Sequence, residues 1–223
     1  MIRARLRDRQ WVEQHRWFTL PVLCLSLLVI IVDTSILNVA LPTLAKSHQL
    51  GGLGASASQL QWIVDSYTVV FAGLLITSGS LSDRVGRYRG LVSGLSVFGV
   101  GSALSSFAPS PSVLIATRAL MGVGAAFIMP ATLSILSDVF SEPVDRRKAI
   151  GLWSGVAGLG GLGPIAGGLL LSKFWWGSVF LVNVPIVIVG LIAGLFLIPD
   201  SKDPSSRKLD PSGSVLSVAA LGV

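Results

Sequence analysis

The sequence predicts an all-α integral membrane protein. Its mean hydropathy is +0.75 and only 13% of its residues are charged. The apolar residues fall in runs long enough to cross a hydrocarbon core of about 30 Å, rather than in amphipathic stripes. The basic residues behind the net charge of +6 cluster in the short segments between these runs. That pattern is typical of membrane orientation and not of a nucleic-acid groove.

Six apolar runs are predicted to be spanning helices, and they occupy residues 18–198 after a basic tail at residues 1–17. Their predicted bounds are 18–41, 60–80, 90–108, 112–135, 149–171 and 178–198. A cytoplasmic polar linker is expected at residues 199–212. Residues 213–223 are too short to cross and are expected to be the truncated start of a seventh helix. We therefore interpret the chain as the N-terminal portion of a longer protein.

The positions of the basic residues predict a cytoplasmic N-terminus. With that orientation, the tail and the segments at 82–89, 137–148 and 200–211 hold fourteen of the seventeen Lys and Arg residues. The opposite loops hold only Lys46 and Lys173. Because cytoplasmic loops carry such an excess, we expect a multi-pass protein of the inner (plasma) membrane.

Asp33 lies inside the first predicted span. An ionised carboxylate at that depth costs about 2.5–3.5 kcal/mol on insertion scales. It must therefore face protein or water, pair with another group or take up a proton. One interpretation is a structural residue satisfied by neighbouring helices. The other, which we favour, is a proton or cation site in a transporter.

A short, basic segment at residues 79–89 joins the second and third spans. Its notable residues are Gly79, Asp83, Arg84, Gly86 and Arg87. The glycines permit close backbone approach or a positive φ. The aspartate can accept from helix-terminal N–H groups, and the arginines can reach carboxylates or lipid phosphates. Composition alone leaves open whether the segment does more than set the topology.

Three ordered motifs resemble those of the major facilitator superfamily. Residues 79–89 resemble the signature between its second and third helices: Gly, three residues, Asp-Arg, one residue, Gly-Arg. Tyr88 replaces one of the usual basic residues that follow. Residues 118–124 resemble the Arg-containing motif of helix 4, and residues 155–168 resemble the Gly-Pro motif that marks antiporters on helix 5.

Further stretches resemble the fourteen-span drug:proton antiporter subfamily. Residues 33–34 with 38–42 are similar to its first-span signature. Residues 62–67 and 180–185 are similar to its exporters of quaternary ammonium compounds. The resemblance implies two six-helix halves around a mid-membrane cavity, with two extra helices between them. This chain would be the N-terminal half of that major facilitator fold plus the start of a seventh helix.

The resemblance also implies roles for ionisable residues in the spans. Asp33 would exchange a proton for a cationic drug, Asp65 is a second candidate acid, and Arg118 would modulate a neighbouring carboxylate. Asp65 is alternatively a solvated interfacial acid, and Arg118 a packing residue bonded to backbone carbonyls. The candidate cavity residues are Trp62, Tyr67 and Asn38. The two aromatic rings can stack on a lipophilic cation, although an interfacial aromatic belt explains them equally well.

Two structural devices follow from the same resemblance. Asp83, Arg87 and Asp138 would form a charge cluster that holds the inner helix ends together in the outward-open state. The alternative is isolated surface pairs, each worth less than about 1 kcal/mol. In the fifth span, a helix-packing hinge is expected at Gly155, Gly163, Pro164, Gly167 and Gly168. A dinucleotide-binding loop is rejected there, because no strand precedes the glycines.

The sequence contains no recognisable set of catalytic residues, so a secondary transporter is expected rather than an enzyme. No cofactor and no metal site are expected. The leading hypothesis is proton-coupled antiport that exports lipophilic, cationic drugs from the cytoplasm. The expected partners are membrane lipid, protons, a small lipophilic cation and the C-terminal half of the transporter, but no nucleic acid. One alternative is a dedicated exporter of an endogenous metabolite or antibiotic. Another is a transport-incompetent half-protein or assembly partner.

Overall fold

The computed structural model describes residues 9–199 and residue 201, and this part of the chain folds into helices without strands. The α-helices are α1 (Arg9–Ala45), α2 (Ala57–Val85), α3 (Arg87–Ser106), α4 (Pro111–Val139), α5 (Pro143–Gly155), α6 (Leu162–Lys173), α7 (Ser178–Leu181) and α8 (Asn183–Leu197). Short 3-10 turns lie at His48–Leu50 and Val156–Gly161. The predicted all-α fold is confirmed. Most of the predicted linker and the predicted start of a seventh helix lie outside the described residues.

Five helical segments are long and apolar enough to cross a membrane. They are Val12–Ala45, Ala57–Val85, Pro111–Val139, Pro143–Lys173 and Ser178–Leu197. The predicted third span corresponds to α3, which has 20 residues and is less apolar because of its many glycines and serines. Its serines bond within the protein: Ser102 and Ser106, for example, donate to the backbone carbonyls of Phe180 and Ser102. The protein is a multi-pass membrane protein.

The helix starts follow from local sequence. Ser56 and Gln59 form a capping box at the start of α2, which satisfies two of the N–H groups left free at a helix end. At α4 and α5, proline occupies the first turn after a capping Ser110 or Glu142, where its missing N–H costs nothing. Hydrogen bonds from the N–H groups of Asp145 and Val144 hold the pKa of Glu142 below its ordinary value.

Neither the fifth nor the sixth span is one continuous α-helix. The fifth changes to a 3-10 turn at Val156–Gly161 between α5 and α6, and the sixth breaks between α7 and α8. Each break lies one turn before a proline, Pro164 or Pro185. A proline has no N–H to donate to the carbonyl four residues earlier, and its ring crowds that carbonyl.

Helix α4 packs between α2 and α3, and α1 packs against α6 and α8. Two glycines allow the close approach on α4. A Cβ on Gly122 would lie 2.6 Å from the Tyr67 carbonyl oxygen, and one on Gly124 would lie 2.6 Å from the Phe98 backbone nitrogen. This packing brings residues of α1, α2, α3 and α4 together with the first residue of α8 in the buried interior.

Candidate functional site

The centre of the site is a buried ion pair between α1 and α4. Asp33 is 0% exposed and Arg118 is 1% exposed. Arg118 Nη1 donates to Asp33 Oδ2 at 2.6 Å. An ion pair removed from water loses the hydration of both charges, so it is tolerated only when the remaining donors and acceptors are satisfied.

Helix α2 provides a second hydrogen bond to the arginine, and aromatic rings of α2 and α7 lie beside its guanidinium. Arg118 Nε donates to the Ile63 carbonyl oxygen at 3.2 Å. The guanidinium carbon lies 4.3 Å from the centre of the Tyr67 ring and 6.0 Å from that of Phe180. Both rings are within the range of a cation–π interaction. The sequence leaves two roles open for Arg118, a packing residue bonded to a backbone carbonyl and a residue that modulates a neighbouring carboxylate. The structure shows both kinds of contact.

Helix α8 satisfies the other carboxylate oxygen. Asn183 is 0% exposed, and its Nδ2 donates to Asp33 Oδ1 at 2.8 Å and to Ser102 Oγ at 3.1 Å. Ser102 in turn donates to the Phe180 carbonyl oxygen at 2.8 Å. Asp33 thus joins α1 to α4 through one oxygen and to α8 through the other.

Two buried polar atoms beside this network have no hydrogen-bond partner in the described part of the chain. They are the Tyr67 hydroxyl oxygen and Asn183 Oδ1. Each retains hydrogen-bonding capacity next to an acid and its counter-ion. These two oxygen atoms could therefore take part in new hydrogen bonds if Asp33 is protonated.

The other predicted site residues of the spans face elsewhere. Asp65 lies two residues from both Ile63 and Tyr67, so its side chain projects about 200° around α2 from each of them. It is half-buried, and Trp62 is 47% exposed. Asn38 is exposed on α1 and donates to the Thr34 carbonyl oxygen of its own helix. The structure brings together Asp33, Tyr67 and Arg118, but not Asp65, Trp62 or Asn38.

Asn183 and Ser102 were missed as site residues from sequence. Asn183 lies within a stretch that resembles the antiporter subfamily, and it is the one amide in the otherwise apolar span Ser178–Leu197. A buried amide in a membrane helix requires a partner. That requirement was the available signal, but it does not identify the partner.

The predicted charge cluster is assembled at the other end of α2. Arg87 Nε lies 2.9 Å from Asp83 Oδ1, one turn earlier, and its Nη1 lies 3.5 Å from Asp138 Oδ1 on α4. Gly86 has a φ of +128°, which a residue with a Cβ rarely adopts, and it forms the whole connection between α2 and α3. Arg84 is half-buried in the last turn of α2.

Further contacts tie the same end of the bundle together. Arg16 on α1 lies 2.6 Å from Asp145 on α5. Arg146 donates to the carbonyl oxygens of Phe140 and Ser137 at 2.8 and 2.7 Å, which caps the end of α4. The helices α1 to α5 are thus cross-linked near the predicted cytoplasmic surface.

The predicted hinge residues divide into two groups. Gly163 and Gly167 are buried, and a Cβ on either would collide with Ser35 or Ile36 of α1. Gly155, Pro164 and Gly168 are exposed, and a Cβ on either glycine would meet no atom within 4 Å. One face of the segment therefore packs on α1, and the other is uncovered.

Comparison with known proteins identifies the family of this bundle. The family model described as "Major Facilitator Superfamily" matches residues 23–221. The chain belongs to the Major Facilitator Superfamily. The family predicted from the motifs is confirmed, and the ion pair just described therefore lies in the helices of a transporter fold.

Curated superfamily relatives match almost the whole chain. The multidrug efflux pump LfrA of Mycolicibacterium smegmatis is 45% identical over 206 residues, which are 92% of this chain and 40% of LfrA. The methyl viologen resistance protein SmvA of Salmonella typhimurium is 40% identical over 209 residues, which are 93% of this chain and 41% of SmvA. The chain thus spans about 40% of the length of these relatives.

A solved transporter structure has the same fold. The peptide transporter POT, crystallised in complex with sulfate, superposes with a TM-score of 0.74 at 18% sequence identity, over 96% of this chain and 47% of the transporter. At that identity, the likeness concerns the fold alone. The predicted class, a six-helix N-terminal half of a major facilitator fold, is confirmed.

Proposed function

We propose that this chain is part of a proton-coupled antiporter that exports lipophilic, cationic drugs. The observation that carries the proposal is the fully buried carboxylate of Asp33, held 2.6 Å from Arg118 inside the helix bundle. Such groups inside a membrane typically mark ion or proton pathways. The relatives support drug export, since LfrA is a multidrug efflux pump and SmvA confers resistance to methyl viologen, an organic cation.

The chemistry of the pair indicates how a proton would act. Arg118 keeps its charge, so Asp33 is the group that gains or loses the proton. Neutralising Asp33 weakens the attraction between α1 and α4 and leaves the guanidinium without its negatively charged partner. A cationic substrate nearby is then repelled more strongly than when Asp33 is ionised. Opposite preferences of this kind for proton and substrate are what antiport requires.

The exposed candidate residues would serve the substrate rather than the proton. Asn38 lies on an uncovered part of α1, and Trp62 and Asp65 lie on a face of α2 that the bundle does not fully bury. We expect these faces to border the cavity formed with the C-terminal half of the transporter. The Asp83–Arg87–Asp138 cluster would close the cytoplasmic end. The protein would lie in the inner (plasma) membrane among lipids.

Efflux measurements on the full-length protein test the proposal. In everted vesicles, Asp33→Asn should abolish proton-driven efflux of a cationic dye while the amount of inserted protein stays the same. The replacement amide oxygen can still accept a hydrogen bond from Arg118, so the fold is expected to be retained. Asp33→Glu keeps an ionisable acid and should retain part of the efflux.

Unchanged dye efflux in Asp33→Asn would contradict the proton role. A resistance profile of cells that produce the protein then tests the substrate class. Protection against several unrelated lipophilic cations supports the proposal. Protection against a single compound would favour a dedicated exporter instead.

A further inference from the structure

The amide of Asn183 has one orientation open to it while Asp33 is ionised. A carboxylate accepts hydrogen bonds but has none to donate. The amide atom 2.8 Å from Asp33 Oδ1 must therefore be the nitrogen. The amide oxygen then points away from Asp33, and it finds no hydrogen-bond donor in the described part of the chain.

Protonation of Asp33 removes this restriction. Arg118 binds Oδ2 and Asn183 binds Oδ1, so a proton can add to Oδ1 while Arg118 remains on Oδ2. The new O–H group then needs an acceptor where the amide N–H group stands. Rotating the amide by half a turn supplies one, because it exchanges the positions of Nδ2 and Oδ1.

We propose that Asn183 is a positioning residue whose amide orientation follows the protonation of Asp33. When Asp33 is ionised, the amide N–H donates to Oδ1. When one proton is bound at Oδ1, that bond is replaced by one from the acid O–H to the amide oxygen, and no other bond is made or broken at Asp33. The inference rests on the proposed function, in which Asp33 is the proton site.

Rotation of the Asn183 amide would also change hydrogen bonds of α3 and α7. Ser102 on α3 accepts from the same amide nitrogen and donates to the Phe180 carbonyl oxygen. Once the amide oxygen takes the nitrogen's place, Ser102 must donate to it and release the Phe180 carbonyl. A proton on α1 would thus alter a contact between α3 and α7.

In the described part of the chain, the charged or titratable side chains beside Asp33 are Arg118 from α4, which binds Oδ2, and Tyr67 from α2, whose ring centre lies 4.3 Å from the guanidinium carbon of Arg118. Asn183 and Ser102 do not titrate. Asn183 is thus a neutral partner, and its amide can bond to Oδ1 in either protonation state of Asp33 by exchanging the positions of its nitrogen and oxygen.

Infrared titration of the full-length protein in lipid bilayers tests the inference. A protonated-carboxyl band that titrates in the wild type and is missing in Asp33→Asn belongs to Asp33. If the amide rotates, its carbonyl gains a hydrogen bond when Asp33 is protonated, so an amide-carbonyl band should shift to lower frequency with the same midpoint as the carboxyl band. Asn183→Leu, which has a similar volume but no amide, should remove that shift while the carboxyl band still titrates. Asn183→Ala removes the amide without adding bulk and replaces the leucine variant if that variant does not insert. Asn183→Gln keeps an amide and should restore at least part of the shift.

Ser106→Ala is the matched control. Ser106 is buried on α3 one turn after Ser102, and it donates to the Ser102 carbonyl oxygen of its own helix. Its replacement should leave both bands unchanged. An amide band that stays constant while Asp33 titrates, or one that still shifts in the variants without the amide, would overturn the inference. So would the absence of any Asp33 band over the pH range in which the protein stays folded.

Dye efflux recorded in parallel separates the two proposals. Proton-driven efflux in the wild type, combined with an amide band that does not follow the titration of Asp33, overturns the inference and leaves the antiporter in place. An amide band that follows Asp33 in a protein without proton-driven efflux supports the Asp33–Asn183 coupling and overturns the antiporter.

Discussion

Asp33 and Arg118 can be buried because they are buried together. Removing one partner of a buried ion pair typically costs about 3–5 kcal/mol, because the other charge is left uncompensated. Arg118 also has the Ile63 carbonyl oxygen and the Tyr67 ring, and Asp33 also has the Asn183 amide. Each charge thus keeps some compensation when the other is neutralised. Arg118 therefore keeps contacts with α2 even when its hydrogen bond to Asp33 is weakened.

Arg87 joins helices by ion pairs at the predicted cytoplasmic end of the bundle, as Arg118 does in the interior. Its guanidinium bridges the carboxylates of Asp83 on α2 and Asp138 on α4. We predict that Arg87→Ala slows efflux several-fold without removing dye binding, because the helix ends lose the bridge that holds them in one arrangement. The initial efflux rate in vesicles and dye binding to the purified full-length protein measure the two effects. Arg147, exposed in the first turns of α5, provides the control Arg147→Ala. A wild-type efflux rate in Arg87→Ala would show that the Asp83–Arg87–Asp138 cluster is not needed for transport. These charges would then only help to orient the helices in the membrane.

Single site residues could be predicted from sequence, but their pairing could not. Asp33 and Arg118 stood out because a charge inside an apolar span needs a reason to be there. Their hydrogen bond joins positions 85 residues apart, and that of Asn183 with Asp33 joins positions 150 apart. Contacts at such separations depend on how helices pack. The sequence therefore predicts that Asp33 needs a partner, but it does not identify Arg118 or Asn183 as that partner.

The spans could also be predicted from sequence, but the breaks within them could not. The six apolar runs were found because run length alone distinguishes a span from a loop. The fourth run, predicted at 112–135, lies within Pro111–Val139. The fifth run was taken as one helix, whereas the structure has a 3-10 turn before Pro164. Hydropathy does not register a backbone break, since the residues on both sides of it remain apolar.

Helix α6 depends on a glycine for its contact with α1. A Cβ on Gly163 would overlap with the Ser35 hydroxyl and lie 2.7 Å from Ser35 Cβ and 2.9 Å from the Ile36 backbone nitrogen. We predict that Gly163→Ala destabilises the protein by about 1–3 kcal/mol, because the two helices must move apart. Thermal unfolding of the purified protein in detergent measures the loss.

Gly151→Ala is the matched control for that substitution. Gly151 lies in α5, and a Cβ there meets no atom within 4 Å. Alanine is favoured over glycine in a helix by up to about 1 kcal/mol, so this variant should unfold at the same temperature as the wild type or slightly higher. Equal unfolding temperatures for both variants would show that α1 and α6 do not pack closely at Gly163.

The bundle as a whole has one strongly basic end. The α2–α3 turn and the segment before and within α5 contribute Arg84, Arg87, Arg89, Arg146 and Arg147, together with Lys148. The opposite end contributes Lys46 and Lys173, which is the last residue of α6. Because basic loops are retained on the cytoplasmic side during insertion, the charge cluster of Arg87 would face the cytoplasm.

Cysteine labelling of the full-length protein in intact cells tests this orientation. In a background without cysteines, Ser47→Cys and Ser141→Cys replace two exposed serines, one at each end of the bundle. A membrane-impermeant maleimide should label position 47 in intact cells, and position 141 only after the membrane is opened. Both positions lie in exposed segments between helices, so a difference in labelling reports the side of the membrane rather than burial. The reverse pattern would place Arg87 and Asp138 on the outside, and their cluster could then not close a cytoplasmic entrance.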